Sequence, residues 1–85
     1  MSQFCAVIKE SKIYISKEII VNSRIIAKGK RIRELNRLLK EYGGTSSKWV
    51  KKSSIPFKEN EEYFEYHWYE HHGIGRFETK KKKVS

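Results

Sequence analysis

Residues 63–70 read Tyr-Phe-Glu-Tyr-His-Trp-Tyr-Glu, and most of the architecture follows from this pattern. Aromatic side chains fill both faces of what reads as a strand, since successive residues of a strand point to opposite sides of the sheet. Gly73-Ile74-Gly75 follows and permits a tight turn with positive backbone torsions. Arg76 to Lys82 would then return antiparallel, so the sequence predicts a β-hairpin.

Strict alternation assigns each residue of this hairpin to a face. One face of the first strand would carry Tyr63, Glu65, His67 and Tyr69, and the other Phe64, Tyr66, Trp68 and Glu70. On the return strand Phe77 and Thr79 would face one way, and Arg76, Glu78 and Lys80 the other. We therefore expect Arg76 and Lys80 to lie on the same side of the sheet.

One helix is predicted upstream of the hairpin. Its apolar residues recur at the spacing of one helical face, and they are Ile32, Leu35, Leu38, Leu39 and Tyr42. Gly43-Gly44 would end it, because glycine adopts the left-handed cap conformation at little cost. The basic residues before the helix oppose its dipole, so they are either a solvated face or a group directed at an anionic ligand; they are Lys28, Lys30, Arg31 and Arg33.

The rest of the chain supplies short extended segments. Trp49-Val50 reads as a short strand, Pro56 interrupts the next segment, and residues 58–62 read as a turn. Residues 4–21 are rich in β-branched side chains and predict one or two strands, or a strand and a short extended arm, with Ile19-Ile20-Val21 in extended form. The predicted fold class is α+β: one main helix packed on a three- to four-stranded antiparallel sheet, in a single small domain of residues 1–85 whose segment 1–21 is a strand or an arm.

The composition limits the partners. The 85 residues carry a net charge of +9, and all the acidic residues are glutamates. This excess of positive charge favours RNA, DNA, an anionic membrane or an acidic protein as partner. No apolar run approaches the roughly 18 residues of a spanning helix. Cys5 is the only cysteine and reads as a small buried hydrophobe, and the N-terminus lacks the pattern of a secretory signal.

Three parts of the chain together resemble a known class of toxin module. They are residues 29–44, the segment Ser47-Lys48-Trp49-Val50-Lys51-Lys52-Ser53-Ser54, and His67-Trp68-Tyr69-Glu70 with the glycine turn, Arg76-Phe77-Glu78 and Lys80. In this order they are similar to the C-terminal modules of bacterial polymorphic toxins, which end the Rhs, WapA and contact-dependent inhibition proteins. The resemblance covers residues 22–84.

The resemblance implies a small ribonuclease of the barnase, EndoU, colicin and RelE type. Such an enzyme needs no cofactor or metal, and its active residues lie on one face of a four-stranded antiparallel sheet. It would be delivered from a producer cell as part of a larger protein and would cleave RNA, with transfer RNA as one candidate, in the cytoplasm of the target cell. An acidic immunity protein would protect the producer.

The residues themselves suggest candidates for that chemistry. RNA cleavage without a metal needs a base for the 2′-hydroxyl, an acid for the leaving oxygen and cations for the extra negative charge. His67 is the first candidate for base or acid, with Glu70 assisting it, and Arg76 and Lys80 as phosphate-binding cations. The expected substrate-binding residues are Lys51, Lys52, Trp49, Tyr69 and Thr79, with a core role as the alternative for Trp49 and Tyr69.

Other interpretations remain open for the rest of the segment. His71 and His72 read as surface residues, and Lys81 to Lys83 as a general electrostatic tail. A metal site formed by Glu70 with the histidines is conceivable, although adjacent residues of a strand point apart. The chain could also be a non-catalytic basic module that binds RNA or DNA, or a small protein that binds an acidic partner.

Overall fold

The computed structural model describes residues 15–84. Within this range the chain forms two α-helices and five strands. They are α1 Lys17–Val21, β1 Arg24–Lys28, α2 Leu35–Tyr42, β2 Trp49–Ser53, β3 Phe57–Glu59, β4 Glu62–His71 and β5 Gly75–Val84, with two 3-10 turns at Gly29–Arg31 and Ser46–Lys48. The α+β class with one main helix on an antiparallel sheet is confirmed, and the sheet has one more strand than the upper end of the predicted range.

The long strand β4 organises the sheet. β5 pairs antiparallel with β4 along one edge, while β2 and β3 pair with successive halves of its other edge, and β1 lies outside β2. Ser54 bridges the break between β2 and β3. Its amide donates to the carbonyl of Tyr66 and its hydroxyl accepts from the amide of Tyr66, both at 2.9 Å. The predicted hairpin is therefore the centre of the fold.

Helix α2 packs on one face of this sheet, which we call the helix-side face. The core consists of Ile32, Leu35, Leu38, Trp49 and Tyr69, with Ala27, Leu39, Tyr42 and Phe77 packed around it. Tyr42 stacks on Phe77, with ring centroids 4.1 Å apart. These contacts join the helix to β2, β4 and β5, because each of those strands directs an aromatic side chain toward it.

Helix α2 begins later than its apolar pattern predicts. Ile32 is extended, and Gly29 to Arg31 form the 3-10 turn before it. Gly29 has φ of +55°, which a residue with a side chain rarely adopts. Ile32 still reaches the core, so burial alone did not distinguish a helical residue from one in the preceding loop.

The first described segment is a helix, so the extended conformation predicted for Ile19 to Val21 is wrong. Ser16 caps α1 by accepting a hydrogen bond from the amide of Ile19, and Glu18 lies in the first turn. Both features favour a helix N-terminus, and they override the β-branched composition of the segment. The other predicted strands of residues 4–14 lie outside the described residues.

A β-bulge in β5 changes the predicted faces of the return strand. Tyr69 pairs with Phe77, but His67 pairs with Lys80, so one additional residue lies in β5 between these pairs. Glu78 accommodates it with φ of +55°. Beyond the bulge the alternation of β5 is reversed. The prediction that Arg76 and Lys80 share a face is therefore wrong.

No helix within residues 15–84 is both long and apolar enough to cross a membrane.

Candidate active site

Four residues form a row across the helix-side face, and we call them the central row. Each pairs with the next on the adjacent strand, in the order Arg24, Ser53, His67 and Lys80. Cross-strand partners project from the same face and lie close together. The bulge is the reason that Lys80, and not Thr79, stands opposite His67. The row therefore places an imidazole between a hydroxyl and a lysine.

The carboxylate of Glu65 orients His67, although the sequence did not single out Glu65 as a site residue. Oε1 of Glu65 lies 3.0 Å from Nε2 of His67, and the two side chains are 15% and 19% exposed. Glu65 also accepts from the hydroxyl of Ser53 at 3.2 Å and from the guanidinium of Arg24 at 3.4 Å. Glu65 is two residues before His67 on β4, so both side chains project to the same face.

The contacts of Glu65 determine which nitrogen of His67 carries the proton. The hydrogen bond from His67 is the largest cause that lowers the pKa of Glu65, and the contacts with Ser53 and Arg24 act in the same direction against the effect of burial. Glu65 is therefore ionised at neutral pH and can only accept hydrogen bonds. Nε2 of His67 must be the donor, which leaves a lone pair on Nδ1 in the neutral ring.

Nδ1 of His67 is the one buried side-chain polar atom that has no hydrogen-bond partner within residues 15–84. Leaving such an atom unpaired costs about 1–3 kcal/mol, and native proteins seldom do so without a reason. A ligand hydroxyl or a water molecule would satisfy the lone pair. The ring therefore has one nitrogen held by Glu65 and one that no group within residues 15–84 pairs with.

A small cavity of about 40 Å³ adjoins this histidine. Its lining residues are Lys51, His67, Trp68, Tyr69, Glu78, Lys80 and Lys82. Lys82 stands opposite Glu65 on β5, and Lys51 lies beside Tyr69, with its Nζ 5.7 Å from the centre of that ring. The cavity has room for a water molecule or the hydroxyl group of a ligand.

The three lysines of this cavity are not used in salt bridges within residues 15–84. Elsewhere in this range several cations do pair with carboxylates, and they are Arg24, Arg37, Lys52, Lys58, Lys81 and Lys83. Lys51, Lys80 and Lys82 therefore keep their positive charges beside the imidazole without a partner carboxylate in the described part of the chain. Such a group of positive charges is suited to an anionic ligand.

A larger cavity of about 580 Å³ lies between α2 and β5. It is lined by Glu34, Arg37, Glu41, Tyr42, Tyr69, Glu78, Thr79 and Lys80. Three of these residues also line the small cavity, so the two cavities adjoin. Burial raises the pKa of the Tyr69 hydroxyl, which therefore stays protonated at neutral pH and can donate a hydrogen bond.

The carboxylate of Glu78 fastens the bulge to the helix. It accepts two hydrogen bonds from Arg37, at 2.8 and 2.7 Å, and one from the hydroxyl of Tyr42 at 2.9 Å. The hydrogen bonds that Arg37 donates to Glu78 and Glu34 raise the pKa of Arg37 well above its ordinary value, so the guanidinium stays charged. This bidentate contact holds the bulge that directs Lys80 to His67.

The structure divides the predicted site residues between the two faces. His67, Lys80, Lys51 and Tyr69 come together on the helix-side face, and Thr79 lines the larger cavity. Glu70 projects from the opposite face with Lys52, where their side chains form a salt bridge of 3.6 Å, and Glu70 also accepts from the indole of Trp68. Arg76 pairs with Glu70 in the register and lies on that face too. Trp49 is buried in the core, which is the alternative to substrate binding that the sequence analysis gave for it.

The two remaining histidines differ from each other. His71 is 6% exposed, so the prediction that it is a surface residue is wrong, whereas His72 is exposed. Nε2 of His71 accepts from the amide of Thr45 at 2.9 Å, and its Nδ1 donates to the carbonyl of His72 at 2.8 Å. The ring is therefore neutral, and it joins the loop after α2 to the end of β4.

Three residues of the site were not selected from the sequence: Glu65, Arg24 and Lys82. The spacing of two between Glu65 and His67 was a usable signal, because it places both on one face of a strand. Arg24 and Lys82 carried no such signal, since their positions depend on the pairing of β1 and on the bulge.

No three residues of His, Cys, Asp or Glu type lie close enough together within residues 15–84 to hold a metal ion. Comparisons with protein-family models, with curated proteins and with solved structures found no match to this chain.

Proposed function

We propose that this protein is an endoribonuclease that cleaves RNA by metal-independent transesterification, with His67 as the base. The observation that carries the proposal is the buried lone pair on Nδ1 of His67, beside three lysines that have no salt bridge within residues 15–84. A neutral imidazole oriented by a carboxylate is the usual form of a general base at neutral pH. Cations next to it suit the phosphate that the reaction needs.

In the proposed reaction Nδ1 takes the proton of a ribose 2′-hydroxyl, whose oxygen attacks the adjacent phosphorus. The bond from phosphorus to the 5′-oxygen breaks, and the ammonium of Lys80 protonates the leaving oxygen. The products are a 2′,3′-cyclic phosphate and a free 5′-hydroxyl. The imidazolium that forms is stabilised by the carboxylate of Glu65, 3.0 Å away.

Two lysines stabilise the negative charge that develops on the phosphate. Lys51 and Lys82 flank the central row on β2 and β5, and each carries a positive charge at the end of a flexible stem. Nδ1 is closed off from solvent in the free protein, so a substrate hydroxyl reaches it only when side chains that line the cavity move. The hydroxyl of Tyr69 can donate to a phosphate oxygen from the floor of the site.

Glu70 and Arg76 are left without a role in this chemistry. Both lie on the face opposite His67, and the salt bridge and indole contact of Glu70 belong to that face. Glu65 takes the assisting role that the sequence assigned to Glu70.

The cellular context rests on the resemblance to polymorphic toxin modules alone. We propose that the domain is delivered from a producer cell as part of a larger protein, cleaves RNA in the cytoplasm of the target cell, and is neutralised by a cognate acidic immunity protein. Induced expression in bacteria should then stop growth, and His67→Ala should restore it. Harmless expression of the unaltered protein would count against a toxin.

The enzymatic proposal is tested by incubating the purified protein with total RNA in EDTA. His67→Ala should slow cleavage by about 10²-fold or more, because a general base contributes that much. His72→Ala is the matched control, since that histidine is exposed and lies in the turn. Intact RNA at high concentrations of the unaltered protein would refute the ribonuclease.

The same experiment separates the ribonuclease from a non-catalytic binding module. A binding module would retain RNA in a salt-dependent manner without cutting it, and His67→Ala would leave that binding unchanged. The unpaired lysines alone would suffice for such binding, whereas the oriented lone pair on Nδ1 favours the enzyme.

A further inference from the structure

A second group of cations lies away from His67, at the end of strand β1. There the 3-10 turns Gly29–Arg31 and Ser46–Lys48 pack against each other and border a cavity of about 380 Å³. The cavity is lined by Lys28, Gly29, Lys30, Arg31, Ser46 and Ser47. The positive φ of the buried Gly29 lets the chain turn sharply here, which brings the three basic residues on either side of it around one concavity.

These cations contribute no salt bridge to the fold. Lys28, Lys30 and Arg31 have no ion pair in the part of the chain that the structure describes. They repel one another, and they precede the N-terminus of α2, where positive charge is unfavourable. Because these three cations, without an ion pair among the described residues, line one cavity, they form a surface suited to an anion.

The chemistry of the lining groups specifies the anion. An arginine guanidinium can grip two oxygens of a phosphate, lysines add charge, and serine hydroxyls donate hydrogen bonds. No carboxylate lines this cavity, unlike the larger cavity at α2. A phosphate group satisfies all of these donors and meets no acceptor that would repel it.

We propose that this cavity is a second phosphate subsite, which binds the backbone of the same RNA strand several nucleotides away from the cleaved bond. This inference rests on the proposed ribonuclease function. Lys28 is four residues from Arg24 of the central row and two strands from His67, so the two sites are roughly 16 Å apart at about 3.3 Å per residue and 4.8 Å per strand. The phosphates on either side of one nucleotide cannot reach both. The subsite therefore selects RNA long enough to span this distance.

The test compares two triple variants that each remove three positive charges. The subsite variant combines Lys28→Gln, Lys30→Gln and Arg31→Gln. The control variant combines Lys17→Gln, Lys40→Gln and Lys58→Gln. The control positions are exposed and line neither this cavity nor the two beside His67. The probe is a single-stranded 2′-O-methyl RNA that spans both sites, which cannot be cleaved because it lacks the attacking hydroxyl. At low salt the subsite variant should bind this probe about tenfold more weakly than the control variant, and the slope of log affinity against log salt should fall by about 0.7 for one lost phosphate contact.

Kinetics provide a second readout with cleavable RNA. The subsite variant should show a raised KM on the spanning RNA with kcat unchanged, because the contact is present equally in the ground and transition states. Cleavage of a dinucleotide should not change, since a dinucleotide cannot reach the subsite.

Two outcomes would overturn the subsite: equal binding of the probe by the two triple variants, or an equal loss on dinucleotide and spanning RNA. If the unaltered protein cleaves no RNA but the subsite variant alone loses binding, the subsite stands and the ribonuclease fails.

Discussion

Substitution of Glu78 by glutamine tests how the fold holds its candidate site. The side chain is 10% exposed and accepts three hydrogen bonds, two of them from the guanidinium of Arg37. Glu78→Gln removes the charge and leaves an amide that cannot accept at both positions. Charge-assisted hydrogen bonds contribute about 1.5–3 kcal/mol each, but Arg37 is 37% exposed and keeps its contacts with Glu34 and Glu41. We expect a loss of about 2–3 kcal/mol in the free energy of unfolding at neutral pH.

The loss should depend on pH with a defined sign. The hydrogen bond from Arg37 is the largest cause that lowers the pKa of Glu78 from its ordinary value of 4.5, against the effect of burial. A carboxylate whose pKa is lower in the folded state stabilises the protein above its unfolded pKa, and this contribution is lost as the pH falls through the folded pKa. The difference between Glu78→Gln and the unaltered protein should therefore be smaller at acidic pH, below the ordinary pKa of 4.5, than at neutral pH.

Urea denaturation followed by tryptophan fluorescence measures both effects. Glu62→Gln is the matched control, because the ion pair of Glu62 with Lys83 is 3.2 Å long but about half exposed on both sides. Its loss should cost less than about 0.5 kcal/mol. The stabilising role of the Arg37–Glu78 contact would be refuted if Glu78→Gln lost no more unfolding free energy than the control. It would also be refuted if the loss were equal at neutral and acidic pH. Since the Arg37–Glu78 contact holds the bulge that positions Lys80, Glu78→Gln should also lower kcat for RNA cleavage.

Three further substitutions distinguish the roles of neighbouring residues. Glu65→Gln should slow RNA cleavage at least about tenfold, since an amide can donate to the imidazole and so no longer fixes its Nε2–H form; an unchanged rate would remove Glu65 from the site. Glu70→Ala should leave the cleavage rate unchanged because its side chain projects from the opposite face, and a large loss of kcat in a folded variant would contradict this placement. Gly44→Ala should lower the free energy of unfolding in urea by about 1–3 kcal/mol more than Gly43→Ala does. Both glycines have positive φ, so both substitutions strain the backbone. Only at residue 44 would the added methyl group clash, because Nε2 of His71 lies 2.5 Å from it, whereas Gly43 has open space around it. Equal losses for the two glycine variants would show that the contact is relieved without cost.

Local patterns predicted the secondary structure best where they were long and regular. The alternation of residues 63–70 placed His67 and Tyr69 on the same face of β4, and the glycines after it placed the turn. Glu65 belongs to the same alternation but was not selected, because the sequence does not state which carboxylate of a strand contacts an imidazole. The extended conformation predicted for Ile19 to Val21 was wrong for a related reason. A run of three apolar residues is too short to show the periodicity that distinguishes a strand from a helix.

Lys81 to Lys83 illustrate the difference between composition and position. They read as a general electrostatic tail, yet they lie within β5. Lys81 forms a salt bridge with Glu59 on β3 and Lys83 forms one with Glu62 on β4, whereas Lys82 lines the cavity at His67. Their roles differ because of the strand partner of each residue, which depends on pairing between distant segments.

The amino-acid sequence was sufficient for the properties that depend on neighbours along the chain: the central hairpin, the main helix, its glycine end and the excess of positive charge. The grouping of Arg24, Glu65, His67 and Lys80 required the three-dimensional structure. One inserted residue in β5 reverses the side on which every later residue projects, and no local pattern marks it. Alternation is a rule about adjacent residues, whereas strand register is set by hydrogen bonds and packing between segments far apart in the chain, here including the contact of Glu78 with the helix.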